Sequence, residues 1–128
     1  MSARWGEIAP VLKRATDRTE GCYEPIDVLQ QSLNGQVAIF TIEDGAQLVA
    51  VATGRVNVFP RRRFWTIDFV AGRRLAEWWP LFVDAMDALA RQAGCAKITA
   101  YGRPGWSRFW KARGVAQSIA SEIMVRAL

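Results

Sequence analysis

The sequence predicts one α/β domain in which a mixed, mostly antiparallel sheet has helices on both faces. Alternating apolar residues, the pattern typical of strands, dominate the chain between residues 36 and 71. A long helical pattern at residues 75–93 then leads to a further strand, and a strand–helix–strand connection within one sheet places its two strands parallel. Of the 128 residues, 51% are hydrophobic and 23% are charged, which is the balance of an ordinary globular domain with its own core.

The N-terminal region, residues 1–35, is predicted to form two helices. Apolar residues recur at helical spacing over residues 5–19. A break at residues 20–25 precedes a second, shorter helix, which begins at Pro25 or Asp27 and ends before an Asn-Gly pair. The chain is therefore expected to enter the sheet only after two helices.

Residues 36–71 are predicted to form an antiparallel meander of three strands. The first strand, residues 36–43, is joined by a Glu-Asp-Gly sequence with hairpin-turn chemistry to the second, residues 47–59. A proline ends the second strand, and three arginines connect it to the third. This third strand, residues 64–71, is apolar on both faces, which is typical of a central position in a sheet.

The remaining residues, 72–128, are predicted to alternate between helices and strands. The long helix is followed by a glycine and a fourth strand at residues 95–101, and a short helix lies within residues 102–115. A fifth strand at residues 117–128 ends the chain. The aromatic residues of the short helix fall at positions i, i+3 and i+4, and we interpret them as core packing. No internal repeat or linker interrupts the pattern, so all 128 residues are assigned to one domain.

The composition excludes several classes of chemistry. The chain has no histidine, which removes histidine-based general catalysis, Ser-His and Cys-His nucleophile pairs, and the usual zinc centres. Its two cysteines, Cys22 and Cys95, are too few and too far apart for a disulfide framework or a CxxC metal site. No apolar run approaches the roughly 20 residues of a membrane-spanning helix, and the N-terminus lacks the pattern of a signal peptide. We therefore expect a soluble protein made in a cytoplasm.

The net charge of +5 is carried mostly by arginine, in clusters at residues 61–63, 73–74 and 103–113. Such a surface would attract nucleic acid or an acidic partner. It is equally consistent with a solvated face that keeps a small protein soluble. No recognised nucleic-acid-binding motif accompanies the arginines, so direct nucleic-acid binding is the less favoured of these interpretations.

The order of elements carries a resemblance to a known family. The third strand, long helix and fourth strand resemble the acetyl-CoA-binding core of the GNAT acetyltransferases, and residues 102–115 resemble the short helix that follows in that fold. The resemblance covers nearly the whole chain and implies a GNAT-like sheet. Four short motifs resemble, more narrowly, small GNAT-like proteins of tailed bacteriophages encoded among head and morphogenesis genes. These motifs are Phe59-Pro60-Arg61, Ala71-Gly72, Gly94-Cys95 and Gly102-Arg103-Pro104-Gly105-Trp106.

The resemblance implies a position for coenzyme A and raises the question of whether this chain retains it. In GNAT enzymes a Gln/Arg-x-x-Gly-x-Gly/Ala loop at a helix N-terminus holds the pyrophosphate with backbone N–H groups. The corresponding residues here, 70–77, contain one glycine and several bulky side chains. The candidate cofactor-binding residues are Gly72, Arg73 and Arg74. The loop is interpreted as degenerate, so no cofactor is expected, and acetyl-CoA is the alternative.

The resemblance also identifies the residues that acetyl transfer would require. In many GNAT enzymes a tyrosine four residues before the closing glycine of the short helix protonates the departing thiolate. Counting back from Gly114 gives Trp110, which cannot donate a proton in that role. The candidate general base is Asp68, with Glu43 and Asp44 at the hairpin as others. The alternative for Asp68 is a structural ion pair with an arginine. The absent acid argues against catalysis.

These inferences lead to a non-catalytic GNAT-like bacteriophage protein that acts in virion structure or assembly through protein contacts. Its expected partners are other virion or assembly proteins or further copies of itself, in the host cytoplasm and in the virion, with no membrane role. Tryptophan and arginine are favoured in contacts. The candidate contact surface comprises Arg61, Arg62, Arg63, Arg103, Arg108 and Arg113. The alternative function is an acetyl-CoA-dependent N-acetyltransferase of unknown acceptor, with coenzyme A in a cleft between the third and fourth strands. The residues expected to plug this cleft are Trp65, Trp78 and Trp79.

Overall fold

The computed structural model describes residues 4–101, 118–120 and 123–127, with side chains described for residues 4–100. Within these residues the helices are α1 (Trp5–Thr16), α2 (Pro25–Leu33) and α3 (Leu75–Gln92), and a short 3-10 turn follows α1 at Asp17–Thr19. The strands are β1 (Ala38–Asp44), β2 (Gln47–Val58), β3 (Arg63–Ile67), β4 (Val70–Gly72), β5 (Lys97–Tyr101), β6 (Ser118–Ala120) and β7 (Ile123–Ala127).

The two N-terminal helices form as the sequence predicts. The buried face of α1 carries Ile8, Leu12 and Ala15 at helical spacing. A capping box formed by Glu24 and Asp27 fixes the start of α2, where the Glu24 N–H donates to the Asp27 carboxylate at 2.9 Å. A proline in the first turn of α2 suits this start, because its missing N–H would have no partner there.

The described strands form one sheet in the order β1-β2-β3-β5-β7-β6, with β4 also paired to β2. Strands β1, β2 and β3 make the predicted antiparallel meander. Strand β5 pairs with β3 in parallel, as the crossover through α3 requires, and with β7 antiparallel. The mixed sheet that the sequence predicts is therefore confirmed.

The predicted third strand, residues 64–71, is wrong as one continuous strand. It is two strands, β3 and β4, which pair with different parts of β2. Between these two pairings, two residues of β2 stand opposite three residues, 67–69, so the chain accommodates one extra residue as a β-bulge would. Thr53 stabilises the irregularity: its N–H donates to the Phe69 carbonyl at 2.9 Å, and its hydroxyl accepts from the Phe69 N–H at 3.2 Å.

The predicted final strand, residues 117–128, is also wrong as one element. Strands β6 and β7 pair antiparallel with each other, with Ala120 opposite Ile123. The two residues between them, Ser121 and Glu122, are polar and interrupt the apolar pattern in the sequence. The C-terminal segment therefore contains two paired strands instead of one.

The sheet has an apolar core on each face, which confirms helices on both sides. On one face Ala50, Ala52 and Val70 pack with the buried residues of α3. On the other face Val51 and Ala71 pack with the buried residues of α1 and α2. Neighbouring residues of the same strands therefore serve opposite cores, as the two-residue period of a strand dictates. None of the described helices is long and apolar enough to cross a membrane.

Candidate functional site

The loop before α3 occupies the position of the candidate cofactor site. Arg74 is the N-cap residue of α3 and has a left-handed backbone conformation, with φ of 60°. Its guanidinium donates to the carboxylate of Glu77 and, at 2.9 Å, to that of Asp44 at the end of β1. The hydrogen bonds to Glu77 and Asp44 raise the pKa of Arg74. This arginine therefore connects the β1–β2 hairpin to the start of α3.

The backbone of the same loop is bonded within the fold. The Arg73 N–H donates to the Val49 carbonyl at 3.1 Å, and the Arg73 carbonyl accepts from the Trp78 indole at 2.9 Å. Gly72 has φ of 139°, and a Cβ added there would lie 2.5 Å from Ala50. The glycine at this position is thus required by the close approach of β2 and by its own backbone conformation.

Asp68, the candidate base, forms the ion pair that the sequence analysis gave as its structural alternative. The Arg55 guanidinium donates to both carboxylate oxygens, at 2.5 and 3.3 Å. The two side chains are 31% and 22% exposed and line a cavity of about 360 Å³ together with Tyr23, Gln31 and Gln36. The bidentate geometry fixes the orientation of both groups.

The other two candidate bases are ion-paired as well. Glu43 pairs with Arg4, which reaches it from just before α1, and Asp44 pairs with Arg74. The structure therefore does not bring Asp68, Glu43 and Asp44 together in one site. Glu43 and Asp44 connect the β1–β2 hairpin to the residues before α1 and α3, respectively. Asp68 connects the segment between β3 and β4 to the neighbouring strand β2.

The candidate contact arginines Arg61, Arg62 and Arg63 lie at the turn between β2 and β3, and all three are exposed. Arg63 donates to the Ala93 carbonyl at 3.4 Å. The other candidate contact residues, Arg103, Arg108 and Arg113, lie outside the described residues, as does Trp110.

The structure adds to this turn two aromatic residues that were not among the candidate contact residues, although Phe59 belongs to one of the motifs named above. Phe59 and Phe64 flank the arginines, and their ring centroids are 5.0 Å apart. Together with Pro60, Arg61 and Arg62 they line a cavity of about 380 Å³. The signal available in the sequence was a large apolar residue directly before a turn proline, where burial is least expected.

The three tryptophans expected to fill a cleft lie in the core between the sheet and α3. Trp65, Trp78 and Trp79 are all buried, and the Trp65 indole donates to the sulfur of Met86 at 3.2 Å. Strands β3 and β5 are paired beside them over four residues each. Along this paired section the tryptophans therefore contribute to the hydrophobic core.

The described part of the chain contains no cluster of three or more metal-ligating side chains. Its two cysteines differ in exposure: Cys22 is exposed and Cys95 is 8% exposed. Burial raises the pKa of the Cys95 thiol, an effect that the nearby Arg63 partly opposes. A raised thiol pKa lowers the thiolate fraction at neutral pH and so slows alkylation.

We accordingly expect iodoacetamide at about pH 8 to modify Cys22 in the folded protein and Cys95 only after denaturation. Mass spectrometry of the alkylated protein, with and without urea, measures both. A Cys22→Ser variant is the control, since its single thiol should be unreactive until the chain unfolds. Rapid modification of Cys95 in that folded variant would contradict the burial described above.

Neither protein-family models nor curated proteins match this sequence. Solved structures do match the fold. A predicted acetyltransferase from Clostridium acetobutylicum, crystallised with acetyl-CoA, is 14% identical with a TM-score of 0.69, and the alignment covers 93% of this chain and 87% of that one. A ribosomal-protein-alanine N-acetyltransferase from Brucella melitensis is 13% identical with a TM-score of 0.69, over 100% of this chain and 96% of that one.

A more divergent match is FeeM, an N-acyl amino acid synthase from uncultured soil microbes. It is 13% identical with a TM-score of 0.59, over 96% of this chain and 89% of that one. At such identities the similarity establishes the fold and carries no function with it. The chain has a GNAT-like fold, as the sequence analysis predicted.

Proposed function

We propose that this chain is a GNAT-fold protein that acts through protein contacts and does not transfer acetyl groups. Following the short motifs at Phe59–Arg61 and Ala71–Gly72, we place that role in bacteriophage virion structure or assembly. The observation that carries the proposal is the loop before α3, where the Arg73 N–H and the Arg74 guanidinium are bonded within the fold and Gly72 packs against β2.

Pyrophosphate binding at a helix N-terminus requires N–H groups directed at the ligand and a backbone that the phosphates can approach. Here the Arg73 N–H is bonded to β2, and the open side of Gly72 faces Ala50. Arg74 is paired with Asp44 and Glu77, which place two carboxylates beside the start of α3. Like charges repel, so these residues do not fit a pyrophosphate.

The carboxylates of the described region that were candidates for general base support the same proposal. Asp68, Glu43 and Asp44 are each engaged by an arginine. A general base has to accept a proton from the acceptor amine, within hydrogen-bond reach. A carboxylate whose two oxygens already accept from a guanidinium, as in Asp68, is poorly placed for that step.

The alternative function is acetyl-CoA-dependent N-acetylation of an unidentified acceptor. Its basis is the pair Arg73 and Arg74, two cations directly before the first residue of α3. In that case Arg73 and Arg74 would hold the phosphates, and the ion pairs of Arg74 would have to open on binding.

Thermal unfolding in the presence of acetyl-CoA separates the two functions. We expect no change in Tm at about 1 mM acetyl-CoA. A ligand present at 100 times its Kd would stabilise the fold by about 2.7 kcal/mol, or roughly 10 °C for a domain of this size. ATP serves as a control for general polyanion binding. Stabilisation by acetyl-CoA that ATP does not produce, and that an Arg73→Glu, Arg74→Glu variant loses, would show a cofactor site, and release of coenzyme A on incubation with candidate amines would then establish the alternative.

The assembly role has a separate measurement. Quantitative mass spectrometry of purified particles and of assembly intermediates should detect this chain at a fixed ratio to the other proteins present. A strictly monomeric protein that is absent from both would contradict the proposal even if acetyl-CoA does not bind.

A further inference from the structure

The turn between β2 and β3 combines an apolar floor with a cationic rim. It is closed by the Phe59 N–H, which donates to the Arg62 carbonyl at 2.8 Å, and Pro60 restricts its backbone. We call Phe59, Pro60, Arg61, Arg62 and Phe64, which line the cavity of about 380 Å³, the hairpin surface. The rings of Phe59 and Phe64 pack against each other on this surface.

Large apolar side chains are exposed to solvent on the hairpin surface and directly beside it. Phe59 is 44% exposed, and Val58, the last residue of β2, is 66% exposed. The edge of the surface is covered by Lys97, whose ammonium group lies 5.7 Å from the centroid of the Phe64 ring. Contiguous exposed apolar groups rimmed by charge are typical of a site of interaction.

The charges of this turn are not compensated within the described residues. Some exposed cations elsewhere have carboxylate partners, as Lys13 has Asp17, whereas others, such as Arg14 and Arg18, form no ion pair within the described residues. Among residues 4–100 no ion pair involves Arg61, Arg62 or Arg63. Three adjacent guanidinium groups repel one another, so a partner that supplies carboxylates gains both attraction and relief of that repulsion.

The apolar floor distinguishes between two classes of polyanion. Proteins that bind single-stranded nucleic acid combine a cationic track with aromatic faces that are open for base stacking. Here the rings of Phe59 and Phe64 pack against each other, and Lys97 lies over Phe64. What the surface offers is a shallow, mainly apolar recess that two arginines help to line, which matches one large apolar side chain between carboxylates.

We propose that the hairpin surface binds an acidic segment of a partner protein, in which a large apolar side chain enters the recess and flanking Asp or Glu residues pair with Arg61 and Arg62. This inference rests on the proposed function, since it names the chemistry of the contact through which the protein acts. The arginines set the attraction and the recess sets the selectivity.

The test is a fluorescence-anisotropy titration with a short fluorescein-labelled peptide in which a Leu-Trp pair is flanked by Asp and Glu on both sides. One variant, Phe59→Ser, removes the floor, and a second, Arg61→Gln with Arg62→Gln, removes the rim. The matched control is Arg14→Gln with Arg18→Gln, which loses the same charge from exposed positions in α1 and the turn after it.

We expect each hairpin variant to weaken peptide binding roughly tenfold, the effect of losing a central contact residue, while the control changes it less than about twofold. Binding should also weaken as salt is raised. A peptide with Gly-Ser in place of Leu-Trp should bind roughly tenfold more weakly. Equal binding of the two peptides, equal loss in the control, or no binding at all would overturn the proposal.

A single-stranded DNA oligonucleotide of the same charge provides the competing outcome. Tighter binding of the DNA than of the peptide would assign the turn to nucleic acid and overturn the proposal. The acetyl-CoA measurement is independent of all these results. If neither acetyl-CoA nor the peptide binds, the hairpin surface has been assigned wrongly and the non-catalytic function stands. If acetyl-CoA binds and is consumed, the proposed function fails whatever the peptide does.

Discussion

Replacing Trp79 with alanine is expected to lower the free energy of unfolding by about 3–5 kcal/mol. Trp79 is 1% exposed and lies on the face of α3 that packs against the sheet. Its ring is 5.5 Å from that of Phe82 and 5.8 Å from that of Trp78, measured between centroids. Truncation removes this burial and leaves a cavity that the neighbouring rings cannot fill. Since small domains have about 5–15 kcal/mol in total, this loss is a large fraction of the free energy of unfolding.

Urea denaturation followed by circular dichroism measures the effect. Leu81→Ala is the matched control, because Leu81 is two positions further along α3 and is 74% exposed. Its replacement should change the free energy of unfolding by about 0.5 kcal/mol or less. Similar losses in the two variants would mean that α3 does not bury the face described above.

The elements that the sequence predicted well are those whose pattern is local. Helix α3 has apolar residues at helical spacing through most of its length, and strands β1 and β2 alternate between the two cores. The parallel pairing of β3 and β5 followed from the handed crossover through α3. The ion pair of Asp68 was expected as an alternative, since a carboxylate on an apolar strand needs a partner; only the structure identifies that partner as Arg55.

The features that the sequence did not reveal depend on contacts between distant residues. The interruption at Asp68 and Phe69 is invisible in a stretch that is apolar throughout, because the extra residue is defined by the register with β2. Asp44 and Arg74 are 30 residues apart and meet only when the hairpin reaches the start of α3. The contact between Phe59 and Phe64 likewise requires the turn to close.

Gly72 is the residue whose interpretation depends most on the tertiary structure. In the sequence it was a candidate for phosphate binding, because glycine lets a ligand approach the backbone. In the structure the approaching group is β2, since Ala50 stands opposite Gly72 in the sheet. The two roles lead to different expectations for a Gly72→Ala variant. A role in packing predicts lower stability without any ligand, and a role in ligand binding predicts a loss of the stabilisation that the ligand gives.

Gly72→Ala is therefore expected to lower the free energy of unfolding by about 3 kcal/mol, through overpacking and through a backbone conformation that alanine adopts poorly. The added Cβ would lie 2.5 Å from backbone and side-chain atoms of Ala50, and φ is 139°. Gly45→Ala is the matched control: φ there is 61°, but nothing lies within 4 Å of the added atom. Gly45→Ala should lower the free energy of unfolding by only about 1–2 kcal/mol, because alanine is strained in this left-handed backbone conformation.

The two variants are compared by urea denaturation with and without acetyl-CoA. If Gly72 serves packing, the difference between Gly72→Ala and Gly45→Ala should be present without ligand and unchanged by it. If Gly72 serves a phosphate, Gly72→Ala should be no less stable than the control in the absence of acetyl-CoA and should lose only the stabilisation that the ligand gives. The contact with Ala50 lies within the β2–β4 pairing. The first result would therefore also support the packing of β4, the strand that leads into α3, against β2.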